Sequence, residues 1–489
     1  MNPRYTILVL LLPLIVLLLP LAAAAQPVPC VDGFAGPYAC SNVDLLSQPS
    51  DEGATDIWGW TDPVTGVEYA IVFYGLGPHI FDLSDPAAPF EVARLEGGGQ
   101  DARVYADHLF FVGDGGQGMV VFDLKRLRDV ENPPVTLSAN TTYTGIQGAH
   151  NLSLDPESGF AYPVLTVDSD LCAGELHIVD LRNLRSPRYA GCFDSPTFDH
   201  FHDAHCITYD GPDADYTGRE LCFGSAGLNR VLAIVDVTDK SNPVLISEAP
   251  YPNAAYTHQG WLTEDSRYFL LDDELDEMNL EINTRTVVFD VSDLDEPEFA
   301  FEYVAETAAS DHNLFVKGDY AYQANYTAGF RMLDLTEIDS GVLTEAAFFD
   351  TYPEEDGAIL SGAWGVYPFF ESGIVVVSDL ARGLFVLQPR LGTTTEAEAV
   401  PDEGVSLAVY PNPFAAHATV TLDIAAVQHL RVAVYDVLGR EVAVLHDGLL
   451  GAGEEHALTL DGAGLPTGAY IVRVTGETFE TSRAITLVR

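Results

Sequence analysis

Residues 311–336, DHNLFVKGDYAYQANYTAGFRMLDLT, hold the clearest copy of a unit that recurs along most of the chain. A polar start is followed by a short apolar run, Leu314-Phe315-Val316. After the turn Lys317-Gly318-Asp319 comes an alternating run, Tyr320 to Gln323, and then an apolar burst that ends in Asp334. The burst returns at Asp82, Asp123, Asp180, Asp236 and Asp290, and in degenerate form at Leu387, at spacings of 41 to 57 residues. A Pro-bearing turn often follows (Asp85-Pro86, Asn242-Pro243, Glu296-Pro297), and beyond it a fourth apolar run begins. Four short strands per repeat, in about seven repeats, predict an all-β chain built as a β-propeller of about seven blades. A solenoid is the competitor, but its repeats run shorter and do not need four strands.

The ends of the array predict a closed ring over residues 26–388. The last repeat degenerates after its third strand, while residues 42–47, before the first repeat, resemble the fourth strand Pro243–Ser247. This N-terminal strand is expected to complete the last blade, which leaves no unpaired edge between first and last.

Residues 1–25 carry Arg4, an apolar run from Ile7 to Leu21 and the small residues Ala22–Ala25. They are expected to be a cleaved signal peptide, with a retained membrane anchor as the alternative. No other stretch approaches a membrane span. Cys30 lies too far from the apolar run to be a lipid-attachment cysteine.

The formal net charge is −50, and only Lys125, Lys240 and Lys317 are lysines. Phosphate backbones need clustered Lys and Arg, so nucleic acid is excluded as a partner. Six cysteines in an exported chain imply disulfides, and six allow fifteen connectivities. Pairing neighbours in sequence gives Cys30–Cys40, Cys172–Cys192 and Cys206–Cys222. No C-x-x-C pair supports a zinc reading of the cysteines.

Residues 389–403 are polar and aperiodic, a linker. Residues 404–489 carry about seven short alternating strands, a small β-sandwich. Its segments Tyr410-Pro411-Asn412-Pro413-Phe414, Val434 to Val442 and Leu465 to Tyr470 resemble the C-terminal (type A) sorting domain of the type IX secretion system. That resemblance implies handling by the type IX machinery and display at the outer cell surface or release outside the cell.

The repeat region resembles the choice-of-anchor B family, built of LVIVD repeats. His258-Gln259-Gly260-Trp261 with Leu270 to Glu274, and His312-Asn313 with Ala324 to Gly329, carry the likeness. The family name describes tethering and implies no activity.

Four histidines, His150, His205, His258 and His312, are spaced by 55, 53 and 54 residues, each preceding a strand that starts a repeat. The matching positions in the other repeats are approximately Ile57, Gln100 and Ala363. Inner strands of a propeller line its channel, so the four imidazoles are expected to converge there as ligands of a divalent metal ion or as general bases. Asp203 and Asp311 would join the coordination or orient the rings, and His200 and His202 are expected at the channel mouth. The competing reading is structural, with each His bonded to a neighbouring blade's backbone.

The acidic run Asp272–Glu277 lacks the glycine and spacing of an EF-hand and is expected to be a solvated loop. The glycines of Gly113–Gly118 lie between two strands and open no helix, so they form a turn and not a phosphate cradle. Trp58, Trp60, Trp261 and Trp364 are assigned to the core, with one on the channel floor. No G-x-S-x-G or H-E-x-x-H motif is present. Two functions follow: a surface-displayed binding or adhesion module for an extracellular ligand, or a metal-dependent hydrolase acting on a lactone or phosphate ester.

Overall fold

Strands dominate because the apolar bursts are β-branched and aromatic and are interrupted every few residues by Gly, Asp, Asn or Pro. A computed structural model describes residues 26–390 and 405–487, apart from 51, 76, 168–171 and 173–174 in the first stretch. In the second, 411–413, 415, 425–426, 437–439, 451–455 and 477–479 are left out. The expected signal peptide, most of the expected linker and residues 411–413 of the sorting motif therefore lie outside the described residues. The chain divides into two units, Met1–Leu391 and Gly392–Arg489.

The first unit is all-β and propeller-like, with helix limited, among the described residues, to Asp276–Leu280 and two short 3-10 turns. No described helix is long and apolar enough to cross a membrane. Its described strands form seven sheets, numbered here in chain order. Their inner strands are Ile57–Thr61, Asp101–Tyr105, Gly148–Asp155, Asp203–Thr208, Thr257–Leu262, Asn313–Lys317 and Ala363–Tyr367. Each inner strand packs on the next, and that of the seventh sheet packs on that of the first.

The closing Asp has a physical cause. In six sheets its carboxylate accepts the backbone N–H two residues on: Asp82 from Ser84, Asp123 from Lys125, Asp180 from Arg182, Asp236 from Thr238, Asp290 from Ser292 and Asp334 from Thr336. This side-chain turn ends the third strand. The residue between is apolar and buried (Leu83, Leu124, Leu181, Val237, Val291, Leu335). A β-bulge between third and fourth strands recurs at the same place in five sheets, next to Phe81, Val179, Val235, Phe289 and Leu333, and adds twist to each outer edge.

Apolar cores fill the spaces between neighbouring sheets. Phe223 stacks on Phe269 between the fourth and fifth, with centroids 5.6 Å apart, and Phe73 meets Phe111 between the first and second at 5.8 Å. Ile57, Val72, Tyr367 and Val376 fill the space between the seventh and first. Because both faces of a sheet are covered, its central strands are apolar at nearly every position; Val375–Asp379 is buried throughout. Each fully buried Val or Phe here contributes about 1.5–3 kcal/mol.

The seventh sheet takes its outer strand from the N-terminus: Val43–Ser47 pairs antiparallel with Gly383–Pro389, which runs to the first residue of the stretch read as linker. Just before it, Tyr38–Ser41 adds to the outer edge of the sixth sheet at Phe348 and Phe349. The disulfides are Cys30–Cys40, Cys172–Cys192 and Cys206–Cys222, with Cα separations of 6.0, 5.5 and 4.0 Å. The last joins an inner strand to its neighbour at directly paired positions.

The second unit is a two-sheet sandwich. Val405–Tyr410, His417–Ile424 and His456–Asp461 form one sheet, and Gln428–Asp436, Glu441–Leu450, Gly468–Thr475 and Glu480–Leu487 the other. Its core holds Phe414, Val420, Leu430, Val432, Tyr470 and Val472.

Candidate functional site

The start of each inner strand presents one residue to the hub. Asp56, Gln100, His150, His202, His258, His312 and Trp364 surround one small void. From Gln100 to Trp364 they contact one another in chain order. Gln100 Nε2 lies 2.6 Å from His150 Nδ1. Ring centroids are 4.8 Å apart for His150 and His202, 4.1 Å for His202 and His258, 4.5 Å for His258 and His312, and 4.4 Å for His312 and Trp364.

In four sheets the residue after the hub residue ties its sheet to the next. Asn151 Nδ2 donates to the His202 carbonyl at 3.0 Å, and Asn313 Nδ2 to the Trp364 carbonyl at 3.1 Å. Leu314 N donates to Gln259 Oε1 at 2.9 Å, and Leu152 N to Asp101 Oδ2 at 2.6 Å. A histidine followed by Asn, Asp or Gln is thus the local signature of this level.

That signature corrects one member of the histidine set. His150, His258 and His312 are brought together, but the fourth imidazole is His202 and not His205. The strand begins at Asp203, so His202 is in register with the other three. His205, three residues on, lies deeper, with its ring 3.7 Å from that of Trp261. The matching positions in the first and seventh sheets are Asp56 and Trp364, one residue from Ile57 and Ala363. His200 sits to the side, 3.1 Å from the Tyr256 hydroxyl.

Backbone carbonyls fix the rings. His202 Nδ1 is 3.0 Å from the His258 carbonyl and His312 Nδ1 2.6 Å from the Trp364 carbonyl. A carbonyl only accepts, so Nδ1 carries the proton in both. Burial pushes the His312 imidazole down to about 4, and burial together with neighbouring imidazoles holds His202 and His258 well below the usual histidine range. His150 is the exception: burial lowers it, but its contact with Asp114, at 3.3 Å, leaves it raised.

Asp203 borders the void. Burial raises its carboxyl to about 7 against the opposing pull of Arg103. Asp311 does not border it. It turns to Asp273, whose N–H lies 3.3 Å from Asp311 Oδ2, within a group formed with Asp272, Asp276 and Glu277. Asp272, Asp273 and Asp276 are fully buried and Glu277 nearly so. The expected solvated loop is therefore packed inside the protein. Glu274 of the same run, which spacing did not single out, points instead to the hub, with Oε2 3.9 Å from His258 Nε2. Tyr326 donates to Glu274 Oε1 at 2.6 Å.

Two to six residues beyond the hub residues lies a second level. Here a pocket of about 310 Å³ is lined by Trp58, Leu154, Pro156, Cys206, Ile207, Trp261 and Phe369, with Arg103, Ser153 and His205 supplying polar groups. The Arg103 guanidinium stands 4.4 Å from the Trp58 ring centre, a cation–π contact. Burial pushes the His205 imidazole down to about 3, so it is neutral and both donates and accepts. The void at the first level is only about 20 Å³, room for one water or one ion.

Residues 408–487 match the family model of the secretion system C-terminal sorting domain, and residues 226–249 match that of the LVIVD repeat. The latter spans the third strand and most of the fourth in the fourth sheet. No curated protein matches the chain. Among solved structures, a protein from Lactobacillus plantarum is similar at 13% identity and a TM-score of 0.44, over 80% of this chain and 98% of its own. An extracellular domain from B. thetaiotaomicron, of a protein described as a one-component system, is similar at 9% identity and a TM-score of 0.41. That likeness covers 91% of this chain and 57% of its own. At these scores neither likeness bears on ligand or chemistry. The sorting domain and the LVIVD match together make this an exported protein with a propeller-like first unit, handled by the type IX secretion system and delivered to the cell surface or the extracellular space.

Proposed function

We propose that the first unit is a closed, seven-bladed propeller of the choice-of-anchor B kind, displayed at the cell surface as a binding or adhesion module. The observation that carries this reading is the second-level pocket. At about 310 Å³ it has the size of a small-molecule site, with a mostly apolar wall and a few polar groups. Two indoles and Phe369 favour a ligand with a flat face, such as a sugar or aromatic ring, and His205 and Ser153 offer it hydrogen bonds.

Saturation-transfer NMR with a panel of monosaccharides, nucleosides and aromatic acids tests it. Ring protons of at least one class should receive saturation from the protein, and Trp261→Ala should remove the effect. Silence across the panel, or signals unchanged in Trp261→Ala, would sink the pocket as the binding site.

A metal-dependent hydrolase is the second reading, favoured by the imidazoles around the hub. Size counts against it, since a void of about 20 Å³ admits an ion or a water but no ester beside it.

A further inference from the structure

The first level of the hub gathers a ligand set from two sheets. A ring nitrogen of His258, one of His312 and a carboxylate oxygen of Glu274 all lie within 4.8 Å of one another. His258 and His312 are only 2% and 3% exposed. Two of the three groups are aimed by a neighbour. The Trp364 carbonyl occupies His312 Nδ1, which leaves Nε2 as the free lone pair, the usual support for a metal-bound imidazole. The Tyr326 hydroxyl takes one oxygen of Glu274 and leaves the other facing His258. Tyr326 itself is held at φ 38, where a bulky side chain is strained by about 1–3 kcal/mol. Backbone hydrogen bonds to Ala363 in both directions keep it there.

We infer that His258, His312 and Glu274 bind a divalent transition-metal ion of the zinc class, which cross-links the fifth and sixth sheets at the hub. Two imidazoles and one carboxylate suit zinc, cobalt or nickel, whereas calcium and magnesium take oxygen alone. Tetrahedral ligands about 2.1 Å from zinc stand about 3.4 Å from each other. The 3.9 Å between His258 Nε2 and Glu274 Oε2 therefore closes by a small side-chain movement. His202, with its ring 4.1 Å from that of His258, or a water in the adjoining void supplies the fourth ligand. The void holds no organic substrate, so the ion acts as a cross-link. This site is separate from the second-level pocket, and either can fail without the other.

Cobalt(II) titrated into the full chain after chelator treatment, read by visible absorption, tests the inference. The expected result is one equivalent bound with the intense bands of four-coordinate cobalt. Glu274→Gln should weaken binding by about tenfold or more, and His258→Ala and His312→Ala should abolish the bands. His205→Ala, at the second level, should leave them intact. Glu274→Gln keeps the side-chain shape, so it decides the matter even if a histidine variant fails to fold. A wild-type spectrum showing only pale, six-coordinate cobalt, or a Glu274→Gln variant that binds cobalt as tightly as the wild type, would overturn the site.

Discussion

Five carboxyl groups, on Asp272, Asp273, Asp276, Glu277 and Asp311, are packed at 0–2% exposure around one guanidinium, Arg285, which pairs with Asp276. No donor among the described residues reaches either oxygen of Asp272. Five buried negative charges cannot be held by one cation, so protons must be retained. Burial first, and the Asp276 charge second, raise the Glu277 carboxyl to about 10 from 4.5. Its folded value lies above its unfolded one, so its contribution to stability is complete below about pH 4.5 and is lost as pH rises toward 10. Within that window each pH unit costs up to about 1.4 kcal/mol. Glu277→Gln, which cannot ionise, should match the wild type near pH 4.5 and exceed it by about 1 kcal/mol or more at pH 8.5. Urea unfolding at the two values, in chelator, measures this; parallel losses in both proteins would refute it. None of this burial was legible in the sequence, because six residues with five acids read as water-facing whenever the partner segment, here Asp311, is distant in the chain. Histidine spacing was legible only coarsely. A period of 53–55 residues cannot resolve the three-residue shift between His205 and His202, whereas the Asn, Asp or Gln that follows each hub histidine can.

At the scale of strands, the turn chemistry was the readable part. The Asp that closes each apolar burst caps its own turn, so its recurrence marks strand ends directly. Less readable were contacts between one sheet's outer edge and the next sheet's turns. Gly191 lies in the outer strand of the third sheet, beside the bulge at Ile178. A Cβ there would stand 1.5 Å from the Lys240 carbonyl oxygen in the fourth sheet. Lys240 itself is fixed, since its ammonium pairs with buried Glu220 and donates to the Val237 carbonyl. A flexible side chain could swing aside, but this backbone cannot, and the two sheets must separate to admit a methyl group. Overpacking of that kind costs about 1–3 kcal/mol and sometimes more. Gly191→Ala should therefore lower the urea midpoint by an amount equivalent to at least about 2 kcal/mol. An unchanged midpoint would show that the two sheets do not approach this closely in solution.

For the whole molecule, the N-terminal segment is the clasp. Tyr38–Ser41 lies on the outer edge of the sixth sheet and Val43–Ser47 on that of the seventh. Asn42, at φ 55, turns the chain between them. Its side chain donates to the Ala346 carbonyl, and its own carbonyl accepts from Arg390. Cys30–Cys40 and the bridge from Val28 to Leu45 fasten the segment to itself. The strand at 43–47 could be read from its likeness to other fourth strands. The extra strand on the sixth sheet could not, because it repeats nothing elsewhere in the chain. Removing residues 26–47 would strip the partner from Gly383–Pro389 and uncover Phe385 and Leu387, both fully buried in the intact protein. It would also discard Val43 and Leu45, whose burial contributes about 1.5–3 kcal/mol each. Losses of that size in a large unit correspond to a fall in melting temperature of at least about 5 °C. The bare edge strand, apolar and extended, should also pair with a second copy. Thermal unfolding with size-exclusion chromatography tests both consequences. A shortened protein that stays monomeric and melts within about 2 °C of the intact one would mean that the ring holds without its clasp.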